Sequence, residues 1–174
     1  MERAGATTMR GNPLTLIGPE LKTGDSAPDF TVVDGSFKDV TLKDTGNHVR
    51  IISVVPSLDT PVCDASVRQF NEMVAALPNT VMIGISNDLP FAQKRFCGAA
   101  NIKNVSMLSA FRSPQFAKDY GVEIPDGALK GLTARAIVVL DENNRVIYSQ
   151  RSSEIAAEPD YKKVLEVLGN SPKS

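Results

Sequence analysis

Cys63 stands in the stretch PSLDTPVCDASVRQF, residues 56–70, just after a Thr60-Pro61 pair. That pair reads as a helix start. A Thr at the N-cap accepts a free helix N–H through its side-chain oxygen, and a Pro at the first helical position has no N–H to leave unpaired. Cys63 then falls in the first turn, where unpaired N–H groups and the positive end of the helix dipole favour thiolate over thiol. A free cysteine has a pKa of about 8.5, and a helix N-terminus or a neighbouring cation lowers it by one to several units. The chemistry such a place suits is nucleophilic sulfur chemistry. The same place also suits a small buried hydrophobe, the ordinary role of a free cysteine. Position alone leaves both readings open.

Cys97, in NDLPFAQKRFCG, differs in kind. It sits near the end of a short helix with Gly98 as the expected stop, where the dipole opposes a thiolate and helix ends fray. That makes a poor primary nucleophile. It suits either a packed thiol or a second cysteine that must move to meet a partner. The two cysteines are 34 positions apart, so there is no CxxC. A bond between them would join different elements, and disulfide geometry needs Cα atoms within about 7 Å, so bonding would require local unfolding.

Arg135, at the head of TARAIVVLD, has two readings. One is an exposed strand-end cation. The other is a guanidinium aimed at a thiolate, lowering its pKa and holding a polarised oxygen beside it. His48 precedes the same sheet's long apolar strand, whereas Cys63 follows that strand's far end. The pair would lie on opposite edges of the sheet, which argues against a Cys-His hydrolase and for an exposed loop histidine.

The elements that must position these groups follow from periodicity. HVRIISVV reads as a central buried strand, followed by a helix from about Pro61 to Leu77 with Val67, Phe70, Val74 and Leu77 on one side. TVMIGIS reads as a second buried strand, and NDLPFAQKRFCG as a helix capped by Asn87 or Asp88. SPQFAKDYG predicts a further helix, ARAIVVLDENNRVIYSQ a hairpin, and EPDYKKVLEVLG a closing helix. NPLTLIG and VTLK are short strand candidates, and residues 1–10 read as a loose tail. The order predicts an α/β class with a mixed central sheet and helices on both faces.

The 174 residues fit one domain, 1–174, whose core can form without disulfide staples. A net charge of −1 offers no case for nucleic acid or an anionic membrane, and no apolar run reaches the ~20 residues of a membrane span. The first residues lack the apolar core of a signal peptide, so the expected location is cytoplasmic. In that compartment a cysteine pair is more often redox-active or metal-binding than structural. Two cysteines and one histidine do not make a closed zinc site without carboxylate help.

With these residues in view the sequence resembles the peroxiredoxin family. Pro56, Thr60 and Cys63 carry its Pro-x-x-x-Thr-x-x-Cys pattern. SLDTPVCDASVRQFN, ISNDLPFAQKRFCGA and the segment from DYGVEI to NRVIYSQ resemble the bacterial thiol peroxidase branch, over about Gly11 to Leu168. The resemblance implies a thioredoxin-like fold with an added N-terminal β-hairpin, to which NPLTLIG would belong, with Thr31–Val33 in the core sheet. It implies that Cys63 is the peroxidatic cysteine and Cys97 the resolving one, which close a disulfide within one chain. Thr60 would orient thiolate and peroxide, Arg135 would stabilise both, and Pro56 would shield the pocket from water. It implies a hydroperoxide substrate, thioredoxin as reductant, a homodimer, and no metal, haem or flavin. Two other readings compete. A disulfide oxidoreductase acting on protein thiols is disfavoured by the missing CxxC and by Arg135. A binding module with two inert, packed cysteines predicts no peroxide turnover.

Overall fold

The computed structural model describes residues 2–46, 48–59, 61–100, 102, 104–155 and 157–170, with the side chains at 61–64, 100, 169 and 170 outside that description. Strands β1 (Glu2–Met9) and β2 (Asn12–Ile17) form an antiparallel hairpin, and β3 (Thr31–Val33) and β4 (Asp39–Thr41) a second. Then come β5 (Val49–Val54), α1 (Pro61–Ala75), β6 (Thr80–Ser86), α2 (Pro90–Ala100) and β7 (Val105–Ser109). The chain continues with α3 (Pro114–Asp119), β8 (Ala136–Leu140), β9 (Val146–Arg151) and α4 (Tyr161–Asn170). The main sheet has seven strands in the order β4-β3-β7-β6-β5-β8-β9. β5, β6 and β7 run parallel, β8 runs antiparallel to β5, and β9 runs antiparallel to β8. This is the expected mixed sheet of a thioredoxin-like fold with an N-terminal hairpin.

Every residue of β5 is buried. Alternation sends Ile51 to one face, with Val67, Phe70 and Val74 of α1 and Val164 of α4. It sends Ile52 and Val54 to the other, with Phe116 and Ala117 of α3 and Leu16 of the first hairpin. Helices therefore cover both faces, as parallel strands buried on both sides require. The strand is not wholly apolar. Arg50 is fully buried, and its guanidinium donates to Asp141 O at 2.7 Å, Thr45 Oγ1 at 2.8 Å and His48 O at 3.0 Å.

Three expectations need correction. Residues 1–10 are not a loose tail, because Glu2–Met9 form β1. Arg10 and Gly11, at the hairpin's turn, have φ of 51° and 81°, the sign that suits strand twist in a two-residue loop. Thr8 N donates to Ser153 O at 2.9 Å and Ile155 N to Thr8 O at 2.8 Å, so residues far along the chain hold this strand. Gly98 does not stop α2, which continues to Ala100. The third is an omission: VSMLS forms β7, a parallel neighbour of β6 whose short mixed sequence shows no alternation. Among the described residues no helix is long and apolar enough to cross a membrane.

Candidate active site

The C-terminal end of β5 feeds the segment that carries the sequence-predicted residues. Val55 and Pro56 are buried, and α1 starts at Pro61, which places Cys63 in its first turn as the local pattern predicts. Thr60 and the Cys63 side chain lie outside the described residues.

Arg135 reaches this place through strand register. Val54 pairs with Ala136, so the next step of the ladder sets Arg135 beside Val55, and Thr133 Oγ1 donates to Val55 O at 3.2 Å. Arg135 is only 2% exposed, which removes the reading of a solvated strand-end cation. Its Nε and Nη2 both donate to Ile155 O, at 3.1 and 3.0 Å. Its Nη1 is buried and has no partner among the described residues. A buried donor left unpaired costs about 1–3 kcal/mol, so such a group calls for an explanation, among them strain, an ordered water, a bound species or a functional role. Arg135 is also close enough to Tyr161 to oppose the upward shift that burial and Glu158 impose on that phenol. Tyr161 in turn stands edge-on to Phe70, with ring centroids 5.1 Å apart. The cation thus sits where β8, α4 and the α1 core meet.

Cys97 lies in the last turn of α2, half-buried, and packs with Phe96 against the core cluster that includes Val67 and Phe70 of α1. Burial pushes its thiol pKa up. Ile102 N donates to Cys97 O at 2.9 Å, so backbone bonding continues past the helix. Cys97 in this arrangement is a protonated, packed thiol. Among the described residues no group of His, Cys, Asp and Glu is placed to hold a metal ion. His48 is exposed at the opposite end of β5, with Nδ1 2.9 Å from Asn79 Oδ1, as the strand argument requires.

Residues 22–165 match the Redoxin family. The chain is 45% identical over 162 residues to a thiol peroxidase of Aquifex aeolicus (strain VF5), covering 93% of this chain and 95% of the relative. It is 47% identical over 159 residues to the thiol peroxidase of Halalkalibacterium halodurans, covering 91% and 94%. The chain belongs to the Redoxin family, in its thiol peroxidase branch. Solved structures agree with that placement. A peroxiredoxin-like protein from Aquifex aeolicus superposes with a TM-score of 0.88 at 43% identity, over 95% of this chain and 96% of the other. A thiol peroxidase from Chromobacterium violaceum gives the same TM-score at 27% identity, over 94% of each chain.

The sequence reading places Asn87 or Asp88 as the cap of α2, but the helix begins at Pro90. Asp88 does not cap α2. Its carboxylate accepts hydrogen bonds from Ser57 Oγ, Leu58 N and Ser86 Oγ, each at 2.8 Å. Gln93, buried in α2, donates to Ser86 Oγ at 3.0 Å and to Leu108 O at 2.9 Å. A polar cluster thus lies at the C-terminal ends of β6 and β7, beside the segment that enters α1. The available sequence signal was Ser86-Asn87-Asp88, polar residues directly after a buried parallel strand, at the sheet edge where α/β folds place their sites.

Proposed function

We propose that this chain is a thiol-dependent peroxidase that reduces hydrogen peroxide and organic hydroperoxides, with Cys63 as nucleophile and Cys97 as resolving thiol. The observation that carries the residue roles is Arg135, a buried guanidinium with one unpartnered nitrogen beside the segment that leads to Cys63. Membership of the thiol peroxidase branch supports the reaction itself.

The Cys63 thiolate attacks one oxygen of the hydroperoxide and the O–O bond breaks. Sulfur is oxidised to sulfenic acid, and the alkoxide or hydroxide takes a proton and leaves as alcohol or water. Arg135, the first-turn N–H groups of α1 and the Thr60 hydroxyl stabilise charge as it spreads over the breaking bond. Pro56, buried at the segment's start, keeps water from the thiolate. The Cys97 thiol then displaces hydroxide from the Cys63 sulfur, giving an intramolecular disulfide and one water. A dithiol protein of the thioredoxin class reduces it by exchange and carries the disulfide away. Sulfur supplies the redox chemistry, so the cycle needs no metal or organic cofactor.

We read the chain as one domain, because the hairpin β1-β2 is tied by hydrogen bonds to residues 152–155 beyond the main sheet. A homodimer fits the exposed Leu89 and Phe91, 51% and 70% accessible, at the start of α2. A cytoplasmic location fits a cycle that depends on a reducing compartment.

The test treats reduced protein with one equivalent of cumene hydroperoxide, counts thiols and maps the product by non-reducing peptide mass spectrometry. Loss of both thiols with a Cys63–Cys97 linkage inside one chain supports the reading. Two surviving thiols in folded protein overturn it in favour of the binding module.

A further inference from the structure

The network around Asp88 links the segment that leads to Cys63 with the segment that leads into the helix carrying Cys97. On one side are Ser57 and Leu58, in the segment between β5 and α1. On the other is Asp88 itself, two residues ahead of α2, the helix that carries Cys97. The Asp88 carboxylate bonds Ser57 Oγ and Leu58 N across this gap, and Ser86 Oγ steadies it from the end of β6. The Asp88 carbonyl accepts from Ser109 Oγ at 2.5 Å, which fastens the same residue to the end of β7. A second link over the gap, Arg95 to Asp59 at 3.9 Å, joins two side chains that are 74% and 71% exposed. Such a pair contributes little. Among the described residues, Asp88 makes the stronger connection of the two, through charge-assisted bonds that are partly shielded from water.

We infer that Asp88 is a positioning residue, a latch that holds the Cys63 segment against the start of α2 in the peroxide-reactive form and whose release accompanies disulfide formation. The inference rests on the assignment of Cys63 and Cys97 as the reacting pair. While the latch is closed, the segment entering α1 keeps its place beside Arg135, and Cys97 stays packed in the core. On that assignment, disulfide formation draws Cys97 out of the core in which it packs. A contact made only in the closed form biases that equilibrium toward it. Weakening the contact must slow the first step and quicken the second. General loss of order would not divide the two steps in this way unless it acted on this same opening.

Asn is the informative conservative change. Its amide oxygen can turn toward Leu58 N and Ser86 Oγ, while its NH2 donates to Ser57 Oγ, which already accepts from Asp59 N at 3.2 Å. Ala removes every acceptor.

The experiment follows both steps in reduced wild type, Asp88→Ala, Asp88→Asn and Ser57→Ala. The chain has no Trp, so rapid quench is used in place of tryptophan fluorescence. Cumene hydroperoxide starts the reaction, dimedone traps the Cys63 sulfenic acid, and mass spectrometry counts the disulfide, well below each variant's Tm. Loss of several bonds to a carboxylate predicts about tenfold slower oxidation and about tenfold faster conversion of sulfenic acid to disulfide in Asp88→Ala. Ser57→Ala shifts both rates the same way by less, and Asp88→Asn stays within about threefold of wild type because its bonds are rebuilt. Sulfinic acid at excess peroxide falls in Asp88→Ala, because resolution outruns a second oxidation. Two rates within twofold of wild type, or two rates slowed together, overturn the latch. If Asp88→Ala does not fold, the Ser57→Ala rates decide by the same signs. A wild-type chain whose Cys63 is not oxidised overturns the underlying assignment instead, whatever the variants do.

Discussion

Arg135 and Ile155 are joined by a fork in which Nε and Nη2 of one guanidinium converge on a single carbonyl, at 3.1 and 3.0 Å. The fork fixes the plane of the guanidinium and leaves Nη1 as the nitrogen with no partner among the described residues. A cation is thereby held in a buried place by a neutral acceptor, with no carboxylate among its hydrogen-bond acceptors in the described residues. On the proposed function, this is the nitrogen that would meet the anion formed in the reaction.

Replacing Arg135 with Met should slow peroxide-driven oxidation of Cys63 by about 10²-fold or more, the usual cost of removing a donor aimed at developing charge. Lys keeps the charge but cannot form the fork, and should fall between Met and wild type. Stability also drops, by about 1–3 kcal/mol, because Ile155 O loses its donors. Rates are therefore compared well below each Tm. Oxidation of Arg135→Met at the wild-type rate would remove Arg135 from the mechanism.

Cys97→Ser should keep one rapid oxidation of Cys63 and lose recycling by a thioredoxin-class reductant. Cys63→Ser should lose turnover altogether. Thiol titration after a single equivalent of hydroperoxide separates the two. Equal loss of the first oxidation in both variants would contradict the division of roles.

Burial pushes the Cys97 thiol up, which has a defined consequence for stability. Above the ordinary thiol value of about 8.5 the unfolded chain releases this proton while the folded chain keeps it. The folded state then binds more protons than the unfolded state, so stability falls as pH rises through that window. The Tm of reduced wild type should thus drop more between pH 7.5 and pH 10, as chosen test conditions of about that range, than the Tm of Cys97→Ser. The same sign applies to local opening of α2, so resolution should quicken at alkaline pH. Parallel Tm curves for the two proteins would refute the coupling.

Phe70 is fully buried and meets Tyr161 edge-on at 5.1 Å, joining α1 to α4. Phe70→Ala should cost about 3–5 kcal/mol in urea unfolding. Leu165, on α4 but 42% exposed, should tolerate Ala within about 0.5 kcal/mol. Similar losses at both positions would mean that α4 packs differently.

His48→Ala should leave peroxide turnover unchanged, since His48 is exposed at the far end of β5 with Asn79 as its partner. A large loss of activity would revive a Cys-His mechanism.

Much of this was legible in the order of residues. Thr60-Pro61 ahead of an apolar periodicity marked the start of α1, and continuous β-branched runs marked β5 and β6, because caps and burial act through local chemistry. Cys63 in the first turn of α1 followed from that start, and Cys97 near the end of its helix was read correctly although the helix runs on past Gly98 to Ala100. The family pattern around Pro56, Thr60 and Cys63 then led to the fold that the sheet order shows. Three things came only from tertiary structure. β1 exists because residues 152–155 pair with it, and no local propensity encodes that partner. Arg135 is buried because the register Val54 to Ala136 carries it under α4, whereas its sequence neighbours read equally well as a strand end. Asp88 reads as a helix cap, since an acidic residue before Leu-Pro suits one, yet its carboxylate crosses to Leu58 N, 30 positions earlier. Sequence determines which groups are present and what each can do nearby. Which of them meet is decided by long-range register and packing, because a hydrogen bond selects its partner by distance in space.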